Sequence, residues 1–154
     1  MTAAPPAAIS TRLDRRFLVA LAGNLVWVNA SEIWRYLAVV RPMLQQVLPD
    51  RPGIAPFTLP AIAIWTIWDT ILILASTGFY WIYLTWAGPA IRQALLAATA
   101  LTVTVFGLLW LAVFNMGLAP PQFLWTAVPL AWAEQVVAAL IVAWAMARRA
   151  HIGR

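Results

Sequence analysis

The chain contains no cysteine and no lysine, and its one histidine, His151, lies in the C-terminal tail. Without cysteine there is no disulfide, no thiol nucleophile, no iron–sulfur cluster and no thiolate zinc site. With no histidine in any apolar segment, histidine-ligated haem inside a membrane is excluded, and with it cytochrome b-type electron transfer. The usual pigment ligand is missing for the same reason. Charge is scarce too. Asp, Glu, Lys and Arg make up 10% of the 154 residues, against about 25% in a soluble domain. That deficit leaves no room for a separate soluble domain.

What is present is apolar: 64% of the residues are hydrophobic. They fall in four runs, 17–41, 59–86, 91–115 and 123–147, each at or above the ~20 residues that cross a bilayer. The expected fold is all-α, an integral membrane four-helix bundle in a single domain, residues 1–154. The start resembles a secretory signal, with Arg12, Arg15 and Arg16 ahead of an apolar run and then Val28-Asn29-Ala30. Because the apolar pattern continues to Val40, it reads as a retained span. Residues 42–58 form the longest connection, whose prolines are expected to prevent a long helix, with Met43 to Leu48 as a short amphipathic turn in the interface. Gly88-Pro89 breaks the second run, and the segment from Asn115 to Pro121 is a turn.

All ten basic residues are arginine. Seven of them (Arg12, Arg15, Arg16, Arg92, Arg148, Arg149, Arg154) belong to one face, against Arg41 and Arg51 on the other. The face richer in arginine is cytoplasmic, so both termini are expected inside a bacterial-type inner (plasma) membrane. Because the arginines sit at span ends, the basic balance gives no reason to expect nucleic acid as a partner.

Three of the five acids, Glu32, Asp69 and Glu134, fall inside the runs. An acid in a span is costly and is a functional hypothesis by default. At 1.5 Å per residue each lies roughly 14–17 Å below the outer end of its span, and half of a ~30 Å hydrocarbon core is ~15 Å. The three therefore share one level near the midplane, where the third span offers Thr102 and Thr104. Helical spacing puts Leu25, Asn29, Glu32 and Tyr36 on one face. It does the same for Trp65, Asp69, Ser76 and Tyr80, and for Ala127, Ala131, Glu134, Ala138 and Ala145. Small residues let helices approach closely in a bilayer, so Glu134 is expected to face the bundle.

Arg35 follows Glu32 at i,i+3 and is placed to pair with it. Asp69 and Glu134 have no such neighbour. Three readings stay open: the acids are protonated and hydrogen-bonded to Asn29, Thr102 or Gln135; they share Arg35; or they await a cation. Ten tryptophans are present. Those near span ends, Trp81, Trp86, Trp110, Trp125 and Trp144, fit an interfacial belt. Trp27, Trp65, Trp68 and Trp132 lie near the acids. Aromatic rings beside carboxylates hold lipophilic cations.

In outline the bundle is similar to the sterol-isomerase group and to the small multidrug-resistance exporters. It lacks the intramembrane histidine of the first and is longer than the second, and no family is assigned.

The leading expectation is a midplane site, built from Glu32, Asp69, Glu134, Arg35, Asn29, Trp27, Trp65, Trp68 and Trp132. It would bind or transport a small lipophilic ligand, amine or sterol-like, with proton exchange on the acids. The alternative is a non-catalytic subunit of a larger membrane complex, and the third a lipid or isoprenoid isomerase using two carboxyls as acid and base. No cofactor is expected, and no spacing such as Asp-x-x-Asp suggests a metal. The expected partners are the bilayer, a small hydrophobic ligand, and either a second copy of the chain or a larger membrane complex.

Overall fold

A computed structural model of the chain describes residues 14–47 and 57–148. Arg12, the middle of the first connection from Leu48 to Pro56, and the basic tail with His151 lie outside the described residues. Those described form four long helices and no strand: α1 Arg15–Val47, α2 Leu59–Ala87, α3 Ile91–Asn115 and α4 Gln122–Ala147. Each is long and apolar enough to cross a membrane.

Local chemistry sets the ends. Asp14 caps α1, its side chain accepting from the Arg16 amide at 3.0 Å, which satisfies one of the orphan donors of the first turn. Pro60 sits in the first turn of α2, where its missing N–H costs nothing. Gly88 ends α2 at φ 87°, a left-handed conformation that only glycine adopts freely, and Pro89 follows.

The prolines of the first connection do not end α1 where the sequence suggests. The helix runs through Pro42 to Val47, so Met43 to Val47 extend α1 instead of forming a separate turn; Leu48 lies outside the described residues. The reason is a wider turn just before the proline. Residues Tyr36–Val40 are π-helical, with the Arg41 amide donating to the Tyr36 carbonyl five residues back. In a regular α-helix the proline ring would collide with the carbonyl four residues earlier. One extra residue in the preceding turn relaxes that collision and lets the chain continue.

A second π-helical stretch, Thr102–Gly107, interrupts α3. Here side-chain hydroxyls compete for the helix carbonyls: Thr102 Oγ1 donates to Ala98 at 2.8 Å and Thr104 Oγ1 to Ala100 at 2.7 Å. Such back-bonding loosens the ladder and bends helices.

Helix α4 is the hub. It packs against α1 and α3 along most of its length and also against α2. Its buried stripe holds Ala127, Ala131, Ala138, Ala139, Ala143 and Ala145, small side chains that let three neighbours approach closely. On α2, Asp69, Ser76 and Tyr80 of the expected face are buried and Trp65 is half-buried, and all five positions named on α4 are buried. On α1 the buried stripe is Ala20, Asn24, Val28, Glu32 and Arg35. It is rotated by one position from the face through Leu25, Asn29 and Tyr36. Asn24, not Asn29, is the buried amide; its Nδ2 donates to Thr77 Oγ1 at 3.0 Å. The polar residues Asn24, Asn29, Ser31 and Glu32 spread over more than one side of α1, so two stripes through Glu32 compete, one through Asn29 and one through Val28 and Asn24.

Candidate functional site

Because α1 and α2 both pack on α4, their polar residues meet at one level. The Arg35 guanidinium donates to Glu32 Oε1, and both side chains are buried. Arg35 is also within electrostatic reach of Glu134 and Asp69, which interact in turn with Glu32 and Arg35. The arrangement is one ion pair flanked by two further acids. The acids do not converge on a point: among the described residues no three His, Cys, Asp or Glu side chains could hold a metal ion together.

Asp69 is 3% exposed and Glu134 is 1% exposed. Glu134 Oε1 accepts from Gln135 Nε2 at 3.3 Å, and Gln135 Oε1 accepts from the Tyr80 hydroxyl at 2.8 Å. Ser31 stands beside the same carboxyl. One oxygen of each acid, Glu134 Oε2 and Asp69 Oδ1, is buried without a hydrogen-bond partner. Buried polar atoms are nearly always satisfied, so two unmet acceptors at one level stand out. Of the partners expected for these acids, Gln135 is found. Thr102 spends its hydroxyl on Ala98, and Asn29 donates its amide to the Leu25 carbonyl at 2.7 Å.

Three spaces open onto this cluster. The first is a cavity of about 340 Å³ among all four helices, with Glu32 and Arg35 on its floor and Tyr36, Trp65, Trp68, Phe106 and Trp110 in its walls. The second is a groove of about 430 Å³ between α1 and α4, lined by Trp27, Ser31, Trp34, Arg35 and Glu134. The third is a slot of about 100 Å³ between α1 and α2 that reaches Asp69. Arg35 lines both of the larger spaces.

The tryptophans named from sequence divide. Trp65 and Trp68 wall the central cavity. Trp27 lies in the groove, its Nε1 donating to the Glu134 backbone carbonyl at 3.0 Å. Trp132 does not join them: its Nε1 donates to Thr99 Oγ1 at 3.0 Å, toward α3. Two positions before Glu134 means roughly 200° around the helix, so that separation is readable from spacing alone. Asn29 lines the slot beside Asp69 and not the central cavity.

Sequence reasoning did not assign Phe106, Trp110 or Ser31 to the site. Trp110 reads as a belt residue by its distance from the acids, yet it stacks on Phe123 with centroids 5.6 Å apart and so faces inward. Both π-helical stretches abut the central cavity, which Tyr36, Val40 and Phe106 help to line. Pro42 was the available signal for the first stretch; the Thr-Val-Thr-Val run gives little for the second.

The Tyr80 bond carries a prediction. Tyr80→Phe removes the donor to Gln135 while keeping the ring, at a cost of about 1 kcal/mol. Unfolding in mixed micelles of increasing SDS content measures it.

No family model, curated protein or solved structure matches the chain.

Proposed function

We propose that the four helices cross a bilayer with both termini on the cytoplasmic side, and that the central cavity binds a small lipophilic cation such as a hydrophobic amine. The orientation rests on the arginine count. The binding reading rests on one observation above all: a cavity of about 340 Å³ with three indole rings in its walls and a buried ion pair on its floor. Its size falls in the range of roughly 300–1,000 Å³ common for ligand sites. Aromatic faces attract a cation, more strongly once it is desolvated.

Charge favours a cation over an anion or a neutral sterol. Arg35 neutralises Glu32, and the flanking Asp69 and Glu134 leave an excess of acid around the cavity. A ligand bearing one positive charge offsets part of that excess. Protons on the remaining carboxyl groups offset the rest and would exchange as the ligand enters or leaves, the basis of a proton-coupled carrier.

Calorimetry with aminoadamantane, a compact lipophilic amine, on the protein in lipid nanodiscs tests this. Trp65→Leu and Trp68→Leu are each expected to weaken binding about 5–30-fold, the equivalent of losing ~1–2 kcal/mol of cation–π attraction. Trp132→Leu should leave it unchanged, because that ring faces Thr99. Unaltered affinity after joint replacement of Asp69 by Asn and Glu134 by Gln would sink the proposal.

A further inference from the structure

We propose that the slot between α1 and α2 is a separate site for a partly dehydrated monovalent metal cation, held by Asp69, Asn29 and Thr66. The slot of about 100 Å³ is lined by these three side chains, with Phe57 and Trp65 beside them. It has room for an ion and a few waters.

The argument lies in which atoms remain uncommitted. Asp69 is 3% exposed, and its Oδ1 has no hydrogen-bond partner. Thr66 Oγ1 donates its proton to the Ile62 carbonyl at 2.9 Å, back along its own helix. Asn29 likewise gives its Nδ2 to the Leu25 carbonyl at 2.7 Å. The one Thr66 proton and one of the two Asn29 N–H groups are thus spent locally, and both side chains keep an acceptor oxygen to offer. Two neutral oxygens with one carboxylate, no nitrogen ligand and no sulfur suit a hard cation.

The charge count makes it monovalent. One carboxylate balances one positive charge, and the charged groups acting on Asp69 are Glu32 and Arg35, which are paired with each other. A divalent ion would need further acids, and among the described residues no such group is assembled. The lining of the slot extends from Phe57, just before α2, to Asp69.

This site takes a different ligand from the central cavity and does not depend on the lipophilic-cation reading. Its test needs no organic ligand. Thermal unfolding of the whole chain in nanodiscs is followed while NaCl replaces N-methylglucamine chloride at constant ionic strength and pH. Sodium is expected to raise Tm by about 5 °C at saturation, as a ligand that binds only the folded state must. Asp69→Asn should abolish the rise. Thr66→Val, an isosteric change that removes one ligand oxygen, should raise the sodium concentration for half the effect about 10-fold. It provides the test should Asp69→Asn fail to fold. Glu134→Gln should leave the sodium response intact. Potassium acting like sodium would support an unselective site. Superimposed sodium and N-methylglucamine titrations would overturn the proposal. So would a sodium response that survives Asp69→Asn, or a stabilisation that follows pH alone and is equal in both salts.

Discussion

Replacing Arg35 with glutamine is expected to cost about 3–5 kcal/mol, the usual price of removing one partner from a buried ion pair. The cause is what stays behind. Glu32 loses its ion-pair partner, and Glu134 and Asp69 lose the positive charge that acts on both of them. Three acids would share one level of an apolar bundle with no cation among them. Folded protein in micelles should fall sharply, and what survives should unfold at a markedly lower SDS fraction. The double variant Arg35→Gln with Glu32→Gln separates this account from simple loss of packing. With the pair removed together, its cost should be smaller than that of Arg35→Gln alone, since Glu32 is then no longer left as an unpaired buried charge. Glu32→Gln alone should be milder than Arg35→Gln, because Arg35 still has Glu134 and Asp69 within reach.

The second large effect is expected at Ala138→Leu. Ala138 is fully buried in the stripe of α4, the helix that packs on all three others. Extra methylenes in a packed interior cost about 1–3 kcal/mol. Because α4 is common to three interfaces, the strain cannot be relieved by moving one neighbour. The two flanking acids would be carried apart with it, so the loss of stability should come with loss of aminoadamantane binding. The same change at Val26, which is 74% exposed, should do neither. SDS unfolding and calorimetry on the two variants give that comparison.

Much of the fold was legible because its signals are long. Apolar runs between Gly-Pro and Pro-Pro breaks place three of the four helices to within one residue. The alanine stripe of α4 and the buried face of α2 follow from spacing. The failures have physical causes. Pro42 reads as a helix stop because a proline collides with the preceding turn of a regular α-helix, and it is the wider turn at Tyr36–Val40 that lets the helix continue. The face of α1 was rotated by one position because its polar residues, Asn24, Asn29, Ser31 and Glu32, spread over more than one side and leave two stripes through Glu32 to choose between. At the site, the acids and Arg35 stood out since charge inside an apolar run has no bland solvent-facing explanation. Their gathering around Arg35 depends on how α1 and α2 sit on α4, and no single segment carries that information. Trp110 and Phe106 depend on the same packing.

The absence of cysteine makes the most direct measurement simple, since Ala61→Cys would be the one thiol in the chain. Ala61 lines the central cavity on α2, two residues into the helix from Leu59. In right-side-out vesicles a membrane-impermeant maleimide should label Ala61→Cys from outside, and aminoadamantane should slow that labelling by about 10-fold or more when the cavity is mostly occupied. Labelling from the cytoplasmic side alone would contradict the orientation, and outside labelling that the amine leaves untouched would contradict a lipophilic-cation site in the cavity.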